Sequence, residues 1–232
     1  MSENKPYYSE HPKFYVALDS IIFGFDHGEL KLLVHRRKFE PAMGEWSLFG
    51  GFLREEESLE DAANRILEEL TGLENIYMEE LQTYGSVKRD PAGRVISVAY
   101  FALIPAHKYS SEHSDQKGAT WVSIDKLPDL IMDHNDMVKK ALRRLKRRAS
   151  TQPIGFELLP KEFTIPQLQA LYEAIYQSKL DKRNFRKKML SMDVLIKLEE
   201  KDKTTSKKGA YLYRFDKKKY KKLVDGGYNF TI

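Results

Sequence analysis

The segment Leu-Asp-Lys-Arg-Asn-Phe-Arg-Lys-Lys-Met-Leu, residues 180–190, carries the residue types that read duplex DNA. Phe185, Met189 and Leu190 recur at helical spacing and would anchor a helix, which leaves Arg183, Asn184, Arg186 and Lys187 to its exposed side. Arginine offers guanine, and asparagine offers adenine, a pair of hydrogen bonds in the major groove. Further on, Lys201, Lys203, Lys207 and Lys208 supply positive charge suited to phosphates or a minor groove.

Such a helix needs a frame that presents it. Asp181 is placed to cap its start. The stretch 165–177 predicts a preceding helix, with apolar residues at 165, 168, 171, 175 and 176 and Pro166 near its beginning. Residues 194–198 and 210–215 read as strands joined by a polar, lysine-rich stretch. Helix, helix, then a hairpin with a basic tip is the layout of a winged helix-turn-helix.

The distribution of charge agrees. Net charge is +5, yet residues 1–138 hold 14 basic and 24 acidic side chains while residues 139–232 hold 25 and 10. Such asymmetry points to a polyanion-binding module fused to something else. Part of the excess falls on a predicted helix from Asn135 to Arg148, where Val138, Ala141, Leu142 and Leu145 share one face and cations the other. That basic face is open to two readings, a solvated surface or a contact. Ser150-Thr151-Gln152-Pro153 breaks the helix and serves as linker, dividing the chain into domains at 1–150 and 151–232.

In the first domain, residues 15–25 and 30–37 predict two strands joined at Asp26-His27-Gly28. Ser58 and Asp61 are spaced like a capping box ahead of a stripe of Leu59, Ala62, Ala63, Ile66, Leu67 and Leu70, and Gly72 ends that helix. Further strands are expected at 81–87, 95–103 and 119–124. The fold class is α+β, with a sheet sandwiched by helices in the first domain.

Residues 50–73 read GGFLREEESLEDAANRILEELTGL. This run resembles the box of the Nudix superfamily: Gly, five residues, Glu, seven residues, then Arg-Glu-apolar-any-Glu-Glu-any-Gly-apolar. Gly51, Glu57, Arg65, Leu67, Glu69, Gly72 and Leu73 fall in register. The resemblance implies an α/β/α sandwich with the box forming a loop and helix beside a pocket. Ile66 and Leu70 stand where that family has Glu. Positions 66, 69 and 70 lie within one helical turn, where three carboxylates would converge on a magnesium ion that activates a diphosphate. With Glu69 alone there, no catalytic residue, metal site or cofactor is expected. Losing metal ligands also removes a means of neutralising a diphosphate, which favours a neutral ligand such as a sugar. By analogy with where Nudix substrates sit, Arg37, Trp46, Glu69 and Tyr100 are the expected effector-binding residues. Plainer roles stay open to them: Trp46 and Tyr100 as core aromatics, Arg37 and Glu69 as an ion pair.

The box, residues 89–100, residues 181–189 and residues 211–215 together resemble the Nudix-related transcriptional regulators, the NrtR group and its sugar-responsive relatives called AraR. The likeness covers nearly the whole chain. It implies a homodimer whose Nudix-like domain senses a small molecule, ADP-ribose in some members and arabinose in others, while the winged helices bind a palindromic operator in double-stranded DNA. The expected protein is therefore a DNA-binding regulator, a repressor, with a sugar such as arabinose preferred as effector and ADP-ribose next. A magnesium-dependent pyrophosphohydrolase is the alternative. The wing, residues 204–209, lacks the Gly-Arg-Pro common in those relatives. Absence of cysteine excludes disulfides, a thiolate nucleophile and thiolate-ligated zinc. No run of 18 apolar residues predicts a membrane span, and the N-terminus lacks the apolar stretch of a secretory signal. A cytoplasmic protein with no membrane partner is expected.

Overall fold

A computed structural model describes residues 9–72, 76–106, 118–204 and 208–226. Two long strands, β1 (Tyr15–Asp26) and β6 (Val95–Pro105), run parallel at the middle of a seven-stranded sheet. Around them pair β2 (Glu29–Arg36), β3 (Trp46–Ser47), β4 (Phe49–Phe52), β5 (Met78–Tyr84) and β7 (Ala119–Ser123), all antiparallel. The main path is β3–β2–β1–β6–β5, with β4 on β1 and β7 on β2.

The period of two along the central strands sorts the core into layers. Leu18 and Ile22 of β1, with Val98, Tyr100, Ala102 and Ile104 of β6, pack under α1 (Leu59–Thr71). Ile21, Phe23, Ala99 and Phe101 pack on the opposite side with Met137, Val138, Ala141 and Leu145 of α2 (His134–Thr151). The result is the expected α/β/α sandwich. Helix α1 starts in a true capping box: the Ser58 side chain accepts from the Asp61 N–H, and the Asp61 carboxylate accepts from the Ser58 N–H. Gly72 ends it in the left-handed conformation, φ 68°.

The linker differs from expectation. Helix α2 continues through Ser150 and Thr151, whose hydroxyls donate to the Arg147 carbonyl at 2.7 and 3.1 Å instead of breaking the helix. Pro153, Ile154 and Phe156 behind it are buried, so the connection is packed against the protein. Gly155 is required there: its φ is 80° and a Cβ would lie 2.9 Å from Leu171.

The second domain comprises β8 (Phe163–Thr164), α3 (Ile165–Tyr176), α4 (Lys182–Ser191), β9 (Leu195–Asp202), β10 (Ala210–Phe215) and α5 (Lys217–Asp225). Its small sheet has the order β8–β10–β9. This is a winged helix, and its core is continuous with the first domain's: Leu145 and Ala149 of α2 share a cluster with Phe156, Phe163, Leu168 and Tyr172.

Strands β3, β4 and β8 and helix α5 have no counterpart in the sequence expectation, and β5 spans Met78–Tyr84 rather than 81–87. Strand β4 is Phe-Gly-Gly-Phe, poor by propensity. Tertiary contact explains it, since a Cβ at Gly50 would meet the Leu18 carbonyl at 2.6 Å and Asp19 Oδ1 at 2.7 Å. Among the described residues no helix is long and apolar enough to cross a membrane.

Candidate functional site

A cavity of about 400 Å³ opens beside β1, β2, β4 and the start of α2, with Asp19, His35, Arg37, Phe49, Arg89 and His134 in its lining. Asp19 is an acid within the mainly apolar strand β1, 7% exposed. It accepts from the Ser97 hydroxyl at 2.5 Å and from Arg89 Nη2 at 3.3 Å, and His134 Nε2 lies 3.5 Å away. Arg89 also grips Asp133 through Nε at 3.0 Å and Nη2 at 2.8 Å. The Leu48 N–H donates to His134 Nδ1 at 3.1 Å, which leaves the ring proton on Nε2, facing Asp19. Burial pushes the His134 pKa below its ordinary value, against the pull of Asp19 and Asp133. Asp133 precedes the helix that His134 begins, so the wall of the cavity is also the first turn of α2.

The four effector-site expectations do not converge on this cavity. Arg37 does line it, its Nε donating to the Phe39 carbonyl at 3.1 Å and its guanidinium lying 4.1 Å from the Phe39 ring. Trp46 sits in β3 against the core edge, under the Arg36 guanidinium at 4.1 Å. Tyr100 is buried among Leu18, Ala62, Ala63 and Ile66; burial pushes its phenol up, and its hydroxyl meets no partner among the described residues. Glu69 is exposed on α1, 3.3 Å from Arg54 and 3.5 Å from Arg65, not paired with Arg37. Sequence reasoning missed Asp19 and His134 and met Arg89 only within a longer likeness. The one usable signal was a lone Asp in the apolar run 15–25.

The box segment forms a charge-compensated loop. Arg65 donates to Glu57 from Nε at 2.8 Å and Nη2 at 2.6 Å, and the Arg54 N–H adds a third bond at 2.8 Å. Arg65 chiefly holds the Glu57 carboxyl at about 2. Ile66, 2% exposed, faces the core and would stand 3.2 Å from a Cβ at Gly51. The Leu70 side chain lies outside the described residues. Among the described residues no group of three or more His, Cys, Asp or Glu is placed to hold a metal ion. Glu57 and Glu69 are engaged by arginines, and Ile66 is turned inward.

A depressed carboxyl stabilises the fold above its ordinary pKa and loses that contribution on acidification. For Glu57 the window runs from pH 4.5 down to about 2. Urea midpoints of the wild type and Glu57→Gln are expected to differ at about pH 6, to begin converging below about pH 4.5 and to meet only by about pH 2. A gap independent of pH would show that the ion pair does not act through the carboxylate charge.

In the second domain, Phe185 and Met189 are buried, and Phe185 packs 5.5 Å from the Tyr172 ring. The turn before α4 is tied by Glu173, which accepts from Lys179 at 2.9 Å and from the Leu180 N–H at 3.1 Å. Lys179, first among these contacts, holds Glu173 at about 2. Gln169 Nε2 donates to the Leu180 carbonyl at 3.0 Å, and the Asp181 side chain caps α4 by accepting from the Asn184 N–H at 2.8 Å. Arg183, Asn184, Arg186 and Lys187 are all exposed on the helix so held. Lys208 is exposed at the wing; Lys207 lies outside the described residues.

Comparison with known proteins matches residues 14–145 to the NUDIX domain and residues 155–215 to the NrtR DNA-binding winged helix domain. The chain is 33% identical over 226 residues to the ADPR responsive transcriptional repressor NtrR of Acinetobacter baylyi, covering 96% of this chain and 88% of that one. It resembles Shewanella oneidensis NrtR complexed with a 27mer DNA at a TM-score of 0.78 and 28% identity, over 93% of this chain and 97% of the other. The NUDIX domain of that protein complexed with ADP ribose matches at a TM-score of 0.51 and 28% identity, over 61% of this chain and 94% of the other. An ADP-ribose pyrophosphatase of Methanocaldococcus jannaschii is 34% identical over 133 residues, 57% of this chain and 75% of that enzyme.

Proposed function

The chain belongs to the NUDIX domain family and carries the NrtR winged helix domain, and on that premise we propose that it is a transcriptional repressor that binds duplex DNA through α4 and ADP-ribose in the cavity beside Arg89. The observation that carries this reading is the two-domain likeness, over 96% of the chain, to an ADPR responsive repressor. Two copies related by a two-fold axis would meet a palindromic operator with half-sites about one or more helical turns apart.

The preference for a sugar draws no support from these relatives. That preference supposes that a diphosphate needs a metal to be neutralised, whereas Arg37 and Lys38 in the cavity lining offer cationic partners without one. Ligand held there bears on Arg89 and His134, hence on the first turn of α2, and the far end of α2 shares its core with the winged helix. A ligand that prefers one placement of that helix shifts the balance between DNA-binding states.

The test is fluorescence anisotropy on a duplex enriched by selection against this protein. ADP-ribose is expected to change duplex affinity where arabinose does not, and Arg186→Ala to weaken binding by about 1–3 kcal/mol if it reads a base. ADP-ribose without effect on binding removes it as effector. A second reading, hydrolysis, is favoured by the likeness to the pyrophosphatase over 57% of the chain. Magnesium-dependent turnover of ADP-ribose that is lost in Glu69→Gln would establish that reading instead.

A further inference from the structure

Lys197 and Lys201 stand four residues apart on β9, a distance of about 13 Å in a regular strand. The pairing with β10 is not regular. Tyr211 is opposite Lys201 and Tyr213 is opposite Lys197, so a short step on β10 spans a longer one on β9, a bulge. Both ammoniums consequently settle over one ring: Lys197 Nζ is 3.8 Å and Lys201 Nζ 4.5 Å from the Tyr211 centroid. Both lysines are exposed, while Tyr211 is half-buried and packs against the main core.

Tyr211 and Tyr213 project from the same side of β10. Tyr213 is buried in the main core and β10 packs against α3, which puts Tyr211 and its two lysines on the helix side of the hairpin, farther along the wing. Attraction to the ring face holds two long side chains that would otherwise sample many rotamers, so much of their ordering cost is met before a ligand arrives. Two cations prearranged side by side suit an anion with repeated charge. Lys203 and Lys208 nearby have the same sign, whereas Glu199 and Glu200, exposed within the bulged stretch, oppose it.

We propose that Tyr211 is a positioning residue that seats Lys197 and Lys201 as a clamp for the phosphate backbone of duplex DNA. The contact is independent of sequence and separate from base reading by α4. It rests on the DNA-binding reading above.

Anisotropy titrations of the full chain over a range of salt, on the selected duplex and on a scrambled one, test it. Lys197→Gln with Lys201→Gln is expected to flatten the slope of log K against log salt by nearly two, equally on both duplexes. Tyr211→Phe keeps the ring and is expected to match the wild type. Tyr211→Leu keeps both lysines but is expected to lose affinity several-fold on both duplexes, with a melting curve confirming that it folds. An unchanged slope in the double lysine variant, or wild-type affinity in a folded Tyr211→Leu, overturns the clamp. Failure of the wild type to bind any duplex would instead overturn the DNA-binding reading itself.

Discussion

Replacing Arg89 with alanine is expected to destabilise the fold by about 3–5 kcal/mol, the range for breaking a buried ion pair from one side. The Arg89 side chain is 3% exposed and is the cation between Asp19 and Asp133. Without it, Asp19 keeps, among the described residues, the Ser97 hydroxyl and the His134 ring beside its carboxylate, in a site water barely reaches. Arg89→Lys is expected to recover only part of the loss, because a single ammonium cannot reproduce the fork that meets two carboxylates. Urea midpoints at neutral pH measure both. A loss below about 1 kcal/mol for the alanine variant would mean that the network is no structural centre. The functional consequence separates the domains: at temperatures where Arg89→Lys remains folded, its duplex affinity should persist while its response to ADP-ribose falls. Equal loss of both would place Arg89 in the DNA-binding machinery.

Ile66→Glu, which brings the box nearer the catalytic pattern, is expected to cost about 3–5 kcal/mol and to give no hydrolysis. Position 66 belongs to the cluster of Leu18, Ala62, Ala63, Val98 and Tyr100, so the substitution puts a carboxyl among apolar neighbours, where the neutral Tyr100 hydroxyl does not balance a buried charge. Arg65 and Arg54 still occupy Glu57 and Glu69. Ile66→Met, which keeps the volume, should cost less than about 1.5 kcal/mol and serves as the packing control. Thermal melts and a coupled phosphate assay with magnesium and ADP-ribose read the two properties separately. Hydrolysis appearing in Ile66→Glu would show that the pocket is one side chain from an active enzyme.

Some of this was written in local order. The strand at 15–25, the capping box of Ser58 and Asp61, the stop at Gly72 and the helix that Asp181 caps each depend on residues within a few positions of one another. Hydrophobic period and caps are read at that range. The box register likewise needed only spacing, and the family resemblance it carries implied the α/β/α sandwich.

What lay beyond local order was decided by packing. Arg89 reaches Asp19 across 70 residues and Asp133 across 44, and no periodicity links them. Tyr100 and Trp46 satisfied the chemistry of a ligand wall, but their places under α1 and at the core edge follow from which sheet face each occupies. Strand β4 exists because Gly50 lets two backbones meet, against its own propensity. A sequence pattern records what each residue prefers among its neighbours. Only the folded chain determines which distant charges must share a dry interior, and there the demand that every buried ion find a partner shaped the cavity.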